Sequence, residues 1–317
     1  MKVRRLDRFK PDDRQPRFVP ITTGDGSSTF YSSAFGEWFH SRQGACHEAQ
    51  TTYVETTRLA QRAQLVRAGG SLKILDICYG LGYNTAAALD TIWAVNQECP
   101  VELVALEIDI EVSRSAIAQN LTQRYSPIVQ QVLHQLAADG SAQQHNLDAH
   151  ILIGDARQQI QTLVAQNWQA DVIFLDPFSP PNCPQLWTAE FLKLVAQCLK
   201  PHDGPYGGEL VTYSCAAAVR ASLQLANLAI GTIQTSARQW PGTIACHLYP
   251  FPNAVGALAP LSQQEQEHLT TRAAVPYRDP TLTATAEEIL KRRHHEQATS
   301  QLMPTGPWRR QWATSRP

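Results

Sequence analysis

An acidic side chain stands at the entrance of a loop that proline stiffens. The apolar run DVIFLD ends on Asp176, and Pro177, Pro180 and Pro181 follow before a helical pattern begins at AEFLKLVAQCL. A carboxylate here can accept a hydrogen bond from an amine, and a rigid loop can hold it and Phe178 against a substrate. The same carboxylate also stabilises the charged form of a nearby amine. Asp176 is therefore predicted first as a recognition and orienting group, and second as a base.

Four more apolar runs end on polar residues or on glycine. Their sequences are KILDICYG, VELVALEID, HILIGD and GGELVTYSC, and a helical pattern follows each of them. This alternation predicts an α/β fold, a mostly parallel sheet with helices on both faces. Ligands of such sheets bind beyond the carboxyl ends of the strands, near the switch in strand order. The polar residues at these ends are Asp76, Glu107, Asp109, Asp155, Tyr213 and Ser214.

The first of these runs leads into a glycine turn, Gly80-Leu81-Gly82. Such a turn lets the backbone approach a ligand at a helix N-terminus, but the third glycine of the dinucleotide motif is missing. S-adenosylmethionine has no phosphate, and its sulfonium and ammonium groups suit acids and carbonyl groups. Asp76 is predicted near its methionine end, Glu107 on its ribose hydroxyls and Asp155 toward its adenine amine. The predicted cofactor-binding residues are Asp76, Gly80, Gly82, Asn84, Glu107 and Asp155.

The rest of the chain divides into segments around this fold. From about Gln50 to Ala68 the pattern is helical, and Gly69-Gly70 stops it. The stretch that ends at about His145 is polar and poorly periodic, and after about Pro260 the pattern becomes polar helix and coil. The expected parts are a basic irregular arm (1–24), a catalytic domain (25–260) whose first residues (25–70) form a cap segment, and a C-terminal extension (261–317).

Composition and charge limit the classes of protein. In 317 residues there is no apolar run of about 18 residues and no apolar signal segment, so no membrane partner is expected. Seven cysteines stand singly, which favours thiols in a reducing cytoplasm over disulfides or a zinc site. The net charge of −1 combines +4 over residues 1–17 and +3 over residues 287–317 with an acidic middle. These basic ends either grip phosphates or form solvated tails.

Several of these segments occur together in one known family. In order they are DGSSTFYSSAFGEWFHSRQGACHEA, ILDICYGLGYNTAAAL, ALEID, LIGDA, FLDPFSPPNCPQLWT and LVTYSCAAAVRASLQLANL. Over roughly residues 25–250 the chain resembles the methyltransferase domain of the bifunctional tRNA 5-methylaminomethyl-2-thiouridine biosynthesis protein. The resemblance implies a Rossmann-like methyltransferase fold and S-adenosyl-L-methionine as cofactor. It also implies methylation of the aminomethyl group on the wobble uridine, in the anticodon loop of tRNA.

This resemblance has two departures. In the family the residue after the loop aspartate is usually glycine, whereas this chain has Pro177. The bifunctional protein also continues into a flavin-dependent oxidase domain, and nothing after residue 260 is long enough or carries a second glycine motif. A free-standing methyltransferase without flavin is therefore expected, which depends on other enzymes to make the aminomethyl group.

The segment FGEWFHSR, before the fold, is expected to close over the pocket. His40 is either a proton relay, with a reference pKa near ~6.5, or a structural residue. Tyr31, Trp38 and Phe39 either stack on a splayed uridine or serve ordinary packing. The predicted catalytic residues are Asp176, Phe178 and His40, and the predicted substrate-binding residues are Tyr31, Glu37, Ser41 and Tyr213.

Other functions stay open on the sequence. The Asp-Pro-Phe-Ser loop distantly resembles the [Asp/Asn]-Pro-Pro-[Tyr/Phe] loop of amino-methyltransferases that act on adenine or on protein amides. The same fold hosts aminopropyl transferases that make polyamines, with acids in comparable places. A non-catalytic RNA-binding module would leave the ring of acids unexplained. Methyl transfer to tRNA that carries aminomethyluridine separates these enzyme classes.

Overall fold

One large sheet, helices on both of its faces and an amino-terminal cap make up the fold. The structure is a computed structural model and describes residues 18–67, 69–144, 146–201, 206–247 and 258–313. The cap begins with two short antiparallel strand pairs, β1 (Ile21–Thr22) with β2 (Ser28–Thr29) and β3 (Tyr31–Ser32) with β4 (Glu37–Trp38). Helix α1 (Ala45–Glu48), a π-helical stretch (Ala49–Glu55) and helix α2 (Leu59–Leu65) follow.

The central sheet has eight strands. They are β5 (Leu72–Ile77), β6 (Val101–Glu107), β7 (Ser141–Gln144), β8 (Leu147–Ile153), β9 (Val172–Leu175), β10 (Glu209–Thr212), β11 (Leu228–Ile233) and β12 (Gly242–His247). Their order is β11-β12-β10-β9-β5-β6-β8-β7, and the five strands from β10 to β8 are parallel. The chain runs from β5 outward to β8 and then returns to β9 on the other side. The order therefore switches between β5 and β9, where such sheets bind ligands.

Helices connect the strands and cover the sheet. They are α3 (Tyr83–Val95), α4 (Ile110–Ala118), α5 (Pro127–Asp139), α6 (Ala156–Ala165), α7 (Ala189–Gln197) and α8 (Ala217–Leu225), with a 3-10 turn (Pro184–Trp187) before α7. The side chains of β9 alternate between two cores. Val172 and Phe174 join the core formed with the cap, α3, α4 and α5, whereas Ile173 and Leu175 join that formed with α6, α7 and α8. All four are fully buried, which explains why the strand reads as one apolar run.

The sequence-based expectation for residues 122–145 was wrong. The stretch contains α5 and β7, where only a polar, poorly periodic segment was expected. Val129, Val132, Leu133 and Leu136 are buried along one face of α5, at the spacing of an amphipathic helix. Glutamines and a histidine between them hide this pattern in the composition. The helix ends at Gly140, whose φ of 72° is the left-handed conformation that ends many helices.

The segment predicted as one helix from Gln50 to Ala68 is broken. Arg58 has a φ of 54° and separates the π-helical stretch from α2, which ends at Leu65. The guanidinium group of Arg58 forms an ion pair with Glu209 at the start of β10, and Arg62 binds the same carboxylate at 2.9 Å. Glu209 is 5% exposed, so these two arginines compensate a buried charge at the point where the helix bends.

The chain after residue 260 packs on the domain. It contains α9 (Gln263–Leu269), a 3-10 turn (Arg272–Ala274), α10 (Ala286–Thr299) and α11 (Thr305–Ala313). Buried ion pairs link it to the domain: Asp279, which is fully buried, binds Arg157 of α6 at 2.8 Å, and Glu265 binds Arg220 of α8 at 2.8 Å. The proposed domain boundaries stay predictions, and residues 1–17 of the basic arm lie outside the described residues. Among the described residues no helix is long and apolar enough to cross a membrane.

Candidate active site

A cavity of about 500 Å³ lies at the carboxyl ends of the central strands. The residues that follow the strands form its floor: Gly80 after β5, Glu107 of β6, Asp155 after β8, Asp176 after β9 and Tyr213 after β10. The cap segment closes it from above with residues 37–42 and Glu48. Cavities of this size are typical of cofactor and small-molecule sites.

The glycine turn shapes one wall of this cavity. Gly80 has a φ of 56° and lines the cavity, and Phe39 of the cap lies 3.5 Å from where a Cβ atom would stand. Gly82 has a φ of 84°, but it does not line the cavity. A Cβ atom there would come within 2.7 Å of the Tyr79 hydroxyl. Gly82 therefore lets the turn close on Tyr79, and Gly80 lets a ligand approach the backbone.

Glu107 is held in a fixed orientation at the end of β6. Its Oε2 atom accepts a hydrogen bond from the Gly80 backbone at 2.8 Å, and its Oε1 atom accepts one from the Asp109 backbone at 2.9 Å. The residue is 7% exposed, and burial raises the pKa of its carboxyl above the ordinary value. Each oxygen has a second acceptor position, so the carboxylate can still accept two hydrogen bonds from a ribose diol.

Asp155 has less acceptor capacity than the sequence indicates. It caps α6, and its two oxygens accept four hydrogen bonds from the backbone and guanidinium group of Arg157. Although burial acts to raise the pKa of Asp155, these bonds and the arginine charge hold it below the ordinary value. Nearby in the same cavity wall, Gln185 Oε1 is buried without a hydrogen-bond partner. An amino group such as that of adenine would supply the missing donor.

Asp76, predicted near the methionine end of the cofactor, does not line the cavity. It is fully buried under the glycine turn, where its Oδ2 atom accepts a hydrogen bond from Thr85 Oγ1 at 2.7 Å and its Oδ1 atom has no partner. Burial raises the pKa of Asp76 to about 7. Asp76 therefore supports the turn. It does not reach the cavity in which the cofactor is expected to bind.

Asp176 lines the cavity at the beginning of the proline loop. Asn84 Nδ2, from the first turn of α3, donates a hydrogen bond to its Oδ2 atom at 2.9 Å, and the Tyr53 hydroxyl faces it without making a full hydrogen bond. Burial raises the pKa of the Asp176 carboxyl well above its ordinary range, and the charge of Glu48 adds to this effect. Asn84, predicted to bind the cofactor, instead orients the Asp176 carboxylate through this hydrogen bond.

Three side chains hold the proline loop in place through hydrogen bonds. Tyr213 donates a hydrogen bond from its hydroxyl to the Pro177 carbonyl at 2.8 Å, and Trp187 Nε1 donates one to the Phe178 carbonyl at 2.8 Å. Glu37, predicted to bind substrate, accepts hydrogen bonds from the Ser179 backbone and hydroxyl and from Asn182, so its carboxylate attaches the loop to the cap.

Aromatic rings fill the junction between loop and cap. Phe178 stacks on Phe35 with ring centroids 4.5 Å apart and meets the edge of Phe39 at 5.0 Å. Phe178 therefore lines the cavity as part of a packed aromatic cluster. Tyr31 is 45% exposed, stands edge-on to Trp38 at 5.0 Å and does not line the cavity, whereas Trp38 does.

His40 and Ser41 lie in the cap where it meets the cavity. The ring of His40 contacts Thr29 Oγ1 through Nδ1 at 3.2 Å and meets the edge of Tyr83. Burial lowers the pKa of His40 to about 4, so the imidazole is neutral at physiological pH. The Ser41 backbone donates to Glu48 Oε2 at 2.8 Å, which fixes the end of the cap segment.

One charged pair in the cavity wall was missed by the sequence-based candidates. Glu48 of α1 and Arg238, between β11 and β12, form an ion pair in the cavity wall, and the Arg238 guanidinium lies 4.3 Å from the Tyr213 ring centroid. They are 190 positions apart and belong to no motif, so local sequence patterns could not indicate them. Gln185 was also missed, because the polar loop residues around it look alike in the sequence.

Comparisons with known proteins indicate the class of enzyme. Residues 114–247 match a family described as S-adenosyl-L-methionine-dependent methyltransferase. The crystal structure of a protein named MNMC2 from Aquifex aeolicus superimposes with a TM-score of 0.73 at 28% identity, over 91% of this chain and 87% of that one. An uncharacterized protein from Methanocaldococcus jannaschii is 26% identical over 87% of this chain and 71% of its own length. The tRNA 5-methylaminomethyl-2-thiouridine biosynthesis bifunctional protein of Acidovorax sp. is 27% identical over 62% of this chain.

The fold and the site define the class: the chain is an S-adenosylmethionine-dependent methyltransferase. Glu107, the glycine turn and the unpartnered Gln185 acceptor fit this cofactor. Its methyltransferase domain is related to that of the bifunctional tRNA 5-methylaminomethyl-2-thiouridine biosynthesis proteins. The chain spans only 30% of the length of the Acidovorax relative, so the similarity concerns one part of that protein.

Proposed function

We propose that the protein methylates the aminomethyl nitrogen on the wobble uridine (position 34) of tRNA, giving 5-methylaminomethyl-(2-thio)uridine. One observation carries the proposal: an oriented carboxylate, Asp176, lies beside the glycine turn in a cavity that an aromatic cap covers. A carboxylate acceptor suits an amine with N–H groups to bind. The relatives whose names mention this tRNA modification support the same substrate.

The reaction requires a neutral amine. The cofactor supplies a methyl group on a positively charged sulfur; the nitrogen lone pair forms the new N–C bond, and the electrons of the broken S–C bond stay on sulfur. A lysine-like amine with a pKa near 10.4 needs about 4.6 kcal/mol to become neutral at pH 7. Asp176 accepts the proton that the ammonium loses, because its pKa lies above that of an ordinary carboxyl. It then fixes the direction of the lone pair through the remaining N–H.

The cap supplies the contacts to the nucleobase. Trp38 and Phe178 line the cavity, and the exposed Tyr31 lies edge-on to Trp38 just outside it. Bases that are splayed out of an RNA loop stack on such rings. The partner is therefore tRNA, bound at its anticodon loop, in the cytoplasm. Enzymes that install the aminomethyl group act before this one.

Transfer of labelled methyl groups to tRNA tests the proposal. We expect S-adenosylmethionine to label tRNA that carries aminomethyluridine at position 34, and the same tRNA with unmodified uridine to stay unlabelled. Putrescine with decarboxylated cofactor tests polyamine synthesis in parallel. Product from putrescine and none from either tRNA would show that the substrate assignment is wrong.

A further inference from the structure

The ion pair between Glu48 and Arg238 lies beside the residue that meets the substrate. Its side chains are 4% and 30% exposed, so both charges are largely removed from water. Glu48 also accepts the Ser41 backbone N–H, and its carboxylate is close enough to raise the pKa of Asp176. A buried carboxylate without a partner is costly, and Arg238 removes most of that cost.

The position of Arg238 is built by the surrounding chain. Ala237 is fully buried, and Ser236 Oγ lies 2.8 Å from His47 Nε2 of α1. The guanidinium group packs over the Tyr213 ring, at 4.3 Å from its centroid. These contacts hold the segment between β11 and β12 against the cap. They place the Arg238 guanidinium beside Glu48 in the cavity wall.

Few groups in this part of the cavity carry charge at neutral pH. The titratable and charged groups around Asp176 and the ion pair are Glu37, His40, Tyr53, Cys78 and Tyr213, and Arg42 also lines the cavity. Burial lowers the pKa of His40 and raises the pKa values of both tyrosines, so these three are neutral. The carboxylate of Glu37 is bonded to the proline loop. The charge balance beside Asp176 therefore depends on the Arg238 cation, the Glu48 carboxylate and whether Asp176 holds its own proton.

We propose that Arg238 is a positioning residue that keeps the acceptor amine in its neutral, reactive form. Its charge cancels that of Glu48, which would otherwise stabilise the ammonium ion and the protonated form of Asp176. This inference rests on the proposed function, because it needs an amine as the acceptor. Compensation by Arg238 also explains how an acidic site can bind an amine and still methylate it, although the ammonium ion cannot react.

Removal of the Arg238 charge and removal of the Glu48 charge should shift the pH dependence of methyl transfer in opposite directions. Arg238→Gln leaves the Glu48 carboxylate uncompensated, which favours the protonated forms of the amine and of Asp176, so the rising limb moves to higher pH. Glu48→Gln leaves the cation uncompensated, so the limb moves to lower pH. Each shift should be about one pH unit, the lower end of the range by which one nearby charge shifts a pKa. Arg238→Lys and the double variant Glu48→Gln/Arg238→Gln should keep a limb close to that of the wild type.

The test is single-turnover methylation of tRNA with aminomethyluridine between pH 6 and 10, at saturating cofactor. Cofactor affinity by calorimetry checks that each variant is folded. Opposite shifts in the single variants with recovery in the double variant support the proposal. A uniform loss of rate without a shift, or shifts of the same sign, would overturn it, because a merely structural pair gives that result.

A measurement without RNA separates this inference from the substrate assignment. In Arg238→Gln the buried Glu48 carboxylate loses its partner, so thermal stability falls relative to the wild type as pH increases from 5 to 9 and this carboxylate must carry its charge unpaired. The double variant should not show this additional loss. If Arg238→Gln and the double variant lose stability equally as pH rises, Arg238 does not compensate the charge of Glu48. Absence of methyl transfer by the wild type would instead refute the proposed function.

Discussion

Replacement of Asp176 by asparagine tests the centre of the mechanism. In the wild type Asn84 Nδ2 donates to Asp176 Oδ2 at 2.9 Å, and Asp176 lines the cavity in which the substrate is proposed to bind. In Asp176→Asn the carbonyl oxygen is best used by Asn84, and the amide then presents N–H groups toward an amine that also carries N–H groups. The variant loses one charge-assisted hydrogen bond and the proton acceptor while it keeps the shape of the side chain.

The expected loss of rate follows from that bond. A hydrogen bond to a charged group is worth about 1.5–3 kcal/mol, and positioned acid–base groups contribute at least roughly 100-fold, or about 2.7 kcal/mol. We therefore expect single-turnover methylation to fall at least about 100-fold across pH 6–9. If recognition of the ammonium dominates, KM rises; if orientation of the amine dominates, the loss is in kcat. Asp148→Asn, at an exposed position outside the cavity, is the matched control.

Stability should respond in the opposite direction. The folded-state pKa of Asp176 is raised above the unfolded value near 3.8, so the folded state binds the proton more tightly. Stability from this group is then present below pH 4 and is lost as pH rises through the folded pKa. Asp176→Asn should consequently be at least as stable as the wild type at pH 8, by thermal unfolding. Near wild-type rates throughout pH 6–9 would refute the reasoning and leave Asp176 a structural loop residue.

Three further predictions concern the cofactor, the C-terminal extension and the RNA. Glu107→Ala should weaken S-adenosylmethionine binding at least tenfold by calorimetry, because two ribose hydrogen bonds of about 1.5–3 kcal/mol each are lost; unchanged affinity in a folded variant contradicts that role. Asp279→Ala leaves Arg157 partly unpaired in a buried position and should cost about 3–5 kcal/mol in denaturant unfolding, and a cost below 1 kcal/mol would speak against it. Deletion of residues 1–17 should lower tRNA affinity and flatten its salt dependence; an equal salt slope would identify them as solvated tails.

The sheet was predictable because its strands are buried on both faces. Runs such as VIFL need no tertiary information, and the polar residue after each run marks the edge where a ligand binds. Position at a strand end thus identified Glu107, Asp155 and Asp176 as cavity residues, and the structure places all three there. The same rule placed Asp76 in the cavity, although its carboxylate points under the turn to Thr85.

What the sequence could not predict depends on contacts between distant segments. Glu37 was expected to bind substrate, but its carboxylate accepts a hydrogen bond from the proline loop at Ser179, 142 positions later in the chain. Glu48 and Arg238 meet only because the segment after β11 packs on the cap. A local pattern shows which side chains can do chemistry, whereas partners fixed by the fold decide which of them are still free to do it.

The acids at the ends of β5, β6 and β9 illustrate this division of roles. Asp76 is buried beside Thr85 and supports the turn; Glu107 is fixed by two backbone N–H groups and keeps acceptor capacity for a ribose; Asp176 has one side-chain donor and an open face toward the cavity. All three have raised pKa values, chiefly through burial. A raised pKa alone therefore does not identify the residue that accepts a proton. Of the three, only Asp176 combines it with a place in the cavity wall and the nearby Glu48–Arg238 ion pair.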